Sequence, residues 1–342
     1  MLSNRNSIKQ IFYDPFNIMS FTNEECFLCG KYLNVKTSEH VFPKWLLNEF
    51  NLWNKTITLL NQTSISYKRL KIPCCKQCNN VFLSKVEKII SKKYKEGFKA
   101  FFKLEELIIY QWIGKIFYGL LFRELSLIID QSLPKKEYII SPEMLERYKT
   151  FHGFLQSVRI PFKFSNFIPW SIFILNLHTD KRFNENFDYH DSTEFLTFSI
   201  RMKNIGIIAC LGDNGAQKDI LSDYWEKIQS IKLLPIQFDE LCAKVTYKSS
   251  LMNRNPKYIT ILPVSEKEET IVTGLPLQGL SSKPIYNEWN QNDYAKILLS
   301  YIRQYGFCFE DIFKEPNLVM SFIEEKNKIK VLNCKGEIIK YI

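Results

Sequence analysis

The chain has 342 residues, 46% of them hydrophobic and 24% charged, the balance of a folded globular protein. That composition excludes a disordered, collagen-like or fibrous chain, and the length points to two domains rather than one. Formal net charge is +10, and almost all of the excess lies in the first third: residues 1–100 carry 16 Lys/Arg against 7 Asp/Glu, residues 101–342 carry 30 against 29. A local basic excess is the electrostatic footprint of a module that binds a polyanion, although it also serves solubility alone.

Residues 1–22 read as a lead-in strand or arm. They are polar where a signal peptide needs an apolar run, so no export signal is expected. Cys26 to Asn80 holds a metal-site candidate. Within it, Pro43 suits the first turn of a short helix through Trp45, Leu46 and Leu47, and Thr56–Leu60 with Ile65–Ile72 read as a hairpin. Val81 to Gly97 reads as a helix, because Phe82, Leu83, Val86, Ile89 and Ile90 fall at helical spacing with lysines between them. A second helix is expected over Leu104–Leu125. Its apolar heart, Leu107–Phe122, is shorter than a membrane span and carries Gln111 and Lys115, so a buried core helix is the better reading. Trp170–Leu177 reads as a buried strand. Glu194–Met202 and Ile205–Leu211 form a hairpin joined at Lys203-Asn204, with a turn at Gly212-Asp213-Asn214-Gly215. Phe238–Leu251 is helical, Tyr258–Val264 a strand, and Asn290–Gln304 a helix. Lys328–Leu332 and Glu337–Ile342 flank a turn at Cys334-Lys335-Gly336. The division expected is residues 1–100 as a metal-binding domain, 101–130 as a central buried helix, and 131–342 as a larger mixed α+β domain.

Of nine cysteines, five lie between positions 26 and 78. The odd count in a long chain argues against a secreted disulfide scaffold, and a reduced, cytoplasmic protein is expected. Cys210, Cys242, Cys308 and Cys334 are scattered and read as small buried side chains. The clustered ones form two Cys-x-x-Cys pairs, Cys26/Cys29 and Cys75/Cys78. Four thiolates suit a tetrahedral structural zinc ion. The 45 residues between the pairs exceed a zinc-ribbon gap, so an insertion lies between the two knuckles. Cys74 could replace Cys75, but only Cys75 leaves two residues before Cys78.

Between the pairs stands Ser38-Glu39-His40-Val41-Phe42-Pro43, and directly after the second comes Asn79-Asn80 and a helix. Cys-x-x-Cys, then Glu-His-x-x-Pro, then Cys-x-x-Cys-Asn at a helix start resembles the HNH endonuclease family, with its zinc-stabilised ββα-metal (treble-clef) core. The likeness covers about residues 22–97. It implies an α+β chain led by such a domain and metal-dependent hydrolysis of phosphodiesters in nucleic acid, DNA foremost. It carries the general base to His40, whose imidazole titrates near neutral pH. It carries the catalytic Mg²⁺ or Mn²⁺ to Asn79, a hard oxygen ligand, with Glu39 as a possible second donor. Glu87, two helical turns after Asn79, is a weaker candidate for a further ligand or a water-orienting group; the bland readings are a helix N-cap for Asn79 or Asn80, a surface charge for Glu39, and a solvated helix face for Glu87. One departure stands out: the family's middle Asn precedes the second Cys pair, whereas this chain reads Lys68-Arg69-Leu70-Lys71-Ile72-Pro73, with Asn61 the nearest upstream.

Ten Lys/Arg against two Asp/Glu between positions 66 and 100 supply phosphate contacts that give affinity without reading sequence. Lys68, Arg69, Lys71 and Lys76 flank the second knuckle; Lys85, Lys88, Lys92 and Lys93 lie on the helix. The aromatic-rich remainder shows no phosphate-binding glycine loop and no second catalytic cluster. It could recognise substrate, sense a trigger, or form a homo-oligomer. Anti-phage defence or a mobile element is the context that association suggests. The competing reading is a catalytically inactive zinc module that binds nucleic acid. No membrane partner is expected.

Overall fold

A computed structural model describes residues 12–17, 21, 23–34, 37–60, 62–125, 142–179, 186–262 and 268–342. Most of the expected lead-in arm, and Asn61, lie outside them. The chain is a mixed α+β protein that divides into two compact units. Unit 1 is residues 1–166 with 258–273, and unit 2 is residues 167–257 with 274–342. No helix among the described residues is long and apolar enough to cross a membrane.

Unit 1 opens on short strands. β1 (Ser38–His40) pairs antiparallel with β4 (Lys71–Pro73), setting His40 opposite Lys71 and Glu39 opposite Ile72. Between them lie α1 (Lys44–Glu49) and a hairpin of β2 (Thr56–Thr58) and β3 (Ser64–Ser66). The expected second arm, 65–72, is therefore broken. A 3₁₀ turn at Tyr67–Arg69 ends the hairpin, and the residues beyond it switch partner to β1. The local pattern cannot report that switch, because the partner stands more than 30 residues away in sequence.

After the second Cys pair the chain turns into a wide, π-type turn at Cys78–Leu83 that runs into α2 (Ser84–Glu96). Gly97 ends α2 at φ 93°, a left-handed region that only glycine enters at little cost. A short α3 (Phe98–Phe101) leads to α4 (Glu106–Leu125), and α5 (Pro142–Leu155) packs against it. α4 is buried on nearly every face, as a helix apolar all round must be. β5 (Phe162–Ser165) forms a parallel pair with strand Thr270–Gly274, which also pairs with Tyr258–Ile261. The sequence reading held neither α5 nor this crossover.

Unit 2 is built on five strands, β6 (Ser171–Leu177), β7 (Phe187–Ser192), β8 (Thr197–Met202), β9 (Ile205–Cys210) and β10 (Lys232–Leu233). They form one mixed sheet of order β10-β6-β9-β8-β7. The β8–β9 hairpin turns where expected, with Lys203 at φ 53°. Two short helices, α6 (Ala216–Ile220) and α7 (Ser222–Gln229), precede α8 (Pro235–Ser250), which lies across β8 and β9. Gly206 permits that close crossing, since a Cβ there would sit 2.5 Å from Phe238. α9 (Gln291–Ile302) is capped by the side chain of Asn290, which accepts from the Asp293 backbone N–H at 3.1 Å. The expected terminal hairpin forms between Lys328–Leu332 and Ile338–Tyr341. Of the scattered cysteines, Cys210 and Cys242 are buried, but Cys308 and Cys334 are exposed. Cys308 starts a one-turn helix and Cys334 sits in the hairpin turn, positions governed by turn geometry rather than by the core.

Candidate functional site

The first knuckle is a tight turn. Gly30 donates to the Cys26 carbonyl at 2.8 Å with φ 69°, and Cys26 donates to Lys31 at 2.9 Å. A side chain at Gly30 would also meet the Tyr13 ring at 2.3 Å, so glycine is required twice over. In the second knuckle the Cys78 N–H donates to Cys75 Sγ at 3.4 Å, and the Asn79 N–H to the Cys75 carbonyl at 3.0 Å. Phe27 N–H donates to Pro73 at 2.9 Å and ties the two knuckles together.

These turns gather Cys26, Cys29, Cys75 and Cys78, with all four sulfurs within 4.8 Å of one another and Cys29 and Cys75 only 3.7 Å apart. A tetrahedron of about 2.3 Å Zn–S bonds puts its sulfurs about 3.8 Å apart, so donor set and spacing fit structural zinc. Crowding makes these thiols compete for protons. Cys29 is pushed up to about 12, first through its hydrogen bond with Cys26, and Cys78 is also raised by bonds to Cys26 and Cys29. A divalent ion relieves that conflict by taking the place of the protons. Cys74 is fully buried beside them, its thiol turned to the Cys75 carbonyl at 3.6 Å. Behind the knuckle, Phe27 stacks on Tyr118 of α4 at 5.6 Å, and His152 Nε2 of α5 meets the Phe27 carbonyl at 2.8 Å. His152 is thus a structural histidine.

Beside this cluster lies a cleft of about 550 Å³ whose walls include Glu39, His40, Lys44, Lys71, Asn79, Glu87 and Lys88. Glu39 and His40 come from β1, Lys71 from β4, and Asn79 from the wide turn. A π-type turn rotates the residues it contains relative to a regular helix, and here it directs Asn79 and Asn80 to the same cleft. Neither is the N-cap expected, because the Asn79 N–H already bonds Cys75 inside the helix. Glu39 is not a surface charge either; it is 9% exposed.

The residue that organises the cleft is Lys115. It is 1% exposed, and its Nζ donates to the carbonyls of His40 (2.6 Å) and Val41 (3.2 Å), to Glu39 Oε1 (3.0 Å) and to Glu87 Oε1 (2.9 Å). Burial alone would make Lys115 easier to deprotonate, but Glu87 and Glu39 outweigh it and its pKa is raised. One helical turn on, a Cβ at Gly119 would sit 2.6 Å from Val41. The glycine lets α4 approach the His40–Val41 segment closely enough for Lys115 to reach. Glu87 is therefore an ion-pair partner at the cleft wall rather than a solvated charge.

His40 is 9% exposed. Burial chiefly, then Lys71, with further positive charge from Lys44 and Lys115 working against Glu39, pulls its pKa down to about 4. Its ring meets Trp53 edge-on at 5.6 Å, and among the described residues no side chain hydrogen-bonds it. Of the expected basic contacts, Lys71 and Lys88 reach the cleft. Lys92 and Lys93 turn instead to Glu96, at 4.0 and 2.6 Å, and Lys68 donates to Asn54 at 3.0 Å.

Sequence reasoning named Cys26, Cys29, Cys75, Cys78, Glu39, His40 and Asn79, and the fold brings all seven into one neighbourhood. It missed Lys44, whose only sign was its place after Pro43, and the role of Lys115. A lone lysine inside the most apolar run of the chain was the available signal, since such a charge is buried only when paired. No family model, no curated protein and no solved structure matches this chain.

Proposed function

We propose that the chain is a metal-dependent endonuclease of the HNH type, hydrolysing phosphodiester bonds in nucleic acid, DNA foremost. The observation that carries the reading is the convergence of His40, Glu39 and Asn79 on one cleft rimmed by Lys44, Lys71 and Lys88, beside a four-cysteine cluster. In this reading residues 22–97 form the treble-clef core. A zinc ion on the four thiolates holds the two knuckles and takes no part in the chemistry.

The rim lysines bind backbone phosphates on either side of the scissile bond. A ring nitrogen of His40 accepts the proton of a water that attacks phosphorus, and the P–O bond to the leaving strand breaks. Asn79 and the Glu39 carboxylate are the hard oxygen donors that would hold Mg²⁺ or Mn²⁺. When bound, the cation supplies charge neutralisation at the scissile phosphate. The donor set fits a cation in kind: Lys115 engages only Oε1 of Glu39 and Oε1 of Glu87, so each carboxylate keeps a second oxygen.

A second reading is a zinc module that binds nucleic acid without cutting it. The engagement of both carboxylates by Lys115, and a His40 ring with no side-chain hydrogen bond among the described residues, favour it. Supercoiled plasmid, single-stranded DNA and RNA incubated with Mg²⁺, Mn²⁺ or EDTA separate the two. The nuclease cuts in the presence of the cation and loses cutting in His40→Ala, with zinc content and fold intact. If His40→Ala cuts as well as the parent, His40 is not the base. Salt-sensitive binding without cutting leaves the second reading.

A further inference from the structure

Unit 2 contains a pocket of about 240 Å³ between α7, α8 and the segment before α9, and nothing in the nuclease reading uses it. Its walls include Trp225, Trp289, Tyr224, Gln217, Lys244 and Lys248. Three observations give it a definite chemistry.

The first is a fixed aromatic platform. Trp289 is clamped by Tyr247 at 4.6 Å and Tyr294 at 4.8 Å, yet keeps 38% of its surface exposed. An indole held this way can stack on a planar ring without paying further for its own ordering. The second is hydrogen-bonding capacity left over. Trp225 is 4% exposed and its Nε1 donor has no partner among the described residues. Gln217 is 3% exposed and spends its amide N–H groups on Val245, Ser249 and Cys210, while its Oε1 accepts from no group among the described residues. A buried donor without a partner is costly unless a bound molecule or water satisfies it, and the Gln217 oxygen adds an acceptor beside it. The third is a cation with no carboxylate partner among the described residues. Lys244 is neutralised by Glu240 at 3.2 Å and Glu324 at 2.8 Å. Lys248 has no carboxylate partner among the described residues; its Nζ lies 4.1 Å over the Tyr286 ring, and burial lowers its pKa.

We propose that this pocket binds a nucleobase carrying a phosphate: the base stacks on Trp289 and uses the Trp225 and Gln217 hydrogen-bonding groups, and the phosphate pairs with Lys248. A planar ring, an edge that both accepts and donates, and one anionic group are together the features of a nucleotide. A zwitterionic amino acid would also need a free carboxylate, and Glu324 is already paired. The volume takes a base and sugar, with the phosphate at the mouth. Two sources offer this chemistry, a free mononucleotide and an unpaired nucleotide of a nucleic-acid strand. The proposal stands without the nuclease reading.

The test is titration of the full-length protein with each of the four ribonucleoside monophosphates, the matching nucleosides, ribose 5-phosphate, and a short single strand, followed by calorimetry and tryptophan fluorescence. At least one monophosphate or the strand binds saturably, and Lys248→Gln weakens it at least tenfold while leaving the nucleoside unchanged. Trp289→Leu weakens nucleotide and nucleoside alike, and ribose phosphate alone does not bind. If Trp289→Leu fails to fold, Trp289→Phe replaces it and retains part of the affinity. A response to Lys248→Gln seen only with the monophosphate assigns the free nucleotide as ligand; one seen only with the strand assigns the unpaired nucleotide. No saturable binding by any of these ligands at millimolar concentration overturns the proposal, as does binding indifferent to Lys248→Gln and Trp289→Leu.

Discussion

Replacing Lys115 with methionine keeps the length of the side chain and removes its charge. Four acceptors then lose their donor: the carbonyls of His40 and Val41 and one oxygen each of Glu39 and Glu87. Removing one partner of a buried ion pair costs about 3–5 kcal/mol, because the other charge stays behind unpaired. Side-chain exposures of 12% for Glu39 and 22% for Glu87 let water recover part of this, so the lower half of that range is expected. For a unit of this size each kcal/mol moves the melting midpoint by about 2–4 °C, which gives a fall of roughly 10 °C. Denaturant and thermal unfolding in excess zinc measure it. The same loss should shrink when Glu39→Gln and Glu87→Gln are added to Lys115→Met, since the stranded charges are then gone. Sign follows from the raised pKa. The folded state holds the Lys115 proton more tightly than the unfolded chain. Its stabilisation is therefore complete below the unfolded value of about 10.4 and is lost as pH rises through the folded value. A loss under about 1 kcal/mol, typical of an exposed pair, or no recovery in the triple variant, would refute the ion-pair account.

Zinc analysis should find one ion per chain, lost in Cys75→Ser together with the fold of unit 1, because structural zinc binding is folding free energy. Cys74→Ser should keep the ion; if it loses zinc instead, the ligand set is misassigned. Lys71→Ala and Lys88→Ala should each lower the slope of log affinity against log salt by about 1 for a DNA duplex, and unchanged slopes would remove these lysines from the phosphate path. In unit 2, burial chiefly raises Asp213 to about 6, even though it accepts from Ser171 Oγ at 2.6 Å and from the Gln217 N–H at 3.0 Å. The folded state then binds this proton more tightly than the unfolded chain, so its contribution falls as pH rises from about 4 to about 6. The move from 3.8 to about 6 corresponds to about 3 kcal/mol. Asp213→Asn should flatten the stability profile in that window, and an unaltered slope would show that Asp213 ionises freely in the folded chain.

What was legible in the sequence was what local chemistry dictates. The Cys-x-x-Cys spacings and the short helix after Pro43 each depend on a few adjacent residues, and those features form where they were expected, the helix starting one residue later at Lys44. The long helices α2, α4 and α8 announced themselves through apolar spacing summed over several turns. The switch of Lys71–Pro73 from the hairpin to β1, and the return of Thr270–Gly274 to pair with β5, depend on partners distant in the chain. No window of sequence holds that information. Polar strands such as Phe187–Ser192, with only its first residue buried, carry too little apolar alternation to be seen.

Lys115 shows where the two kinds of information meet. Its charge in an apolar run was visible and served only to exclude a membrane span. That same charge implies a buried anion somewhere, because an isolated ammonium in a core of this kind would cost several kcal/mol. With Glu39 next to His40, and Glu87 on a helix starting at the second Cys pair, the acidic residues of 1–100 already offered few partners: Asp14, Glu24, Glu25, Glu39, Glu49, Glu87 and Glu96. Only packing could choose among them. Gly119 sets that choice by letting α4 touch Val41, so a residue with no side chain decides which carboxylates the lysine neutralises and how the strand bearing His40 is held.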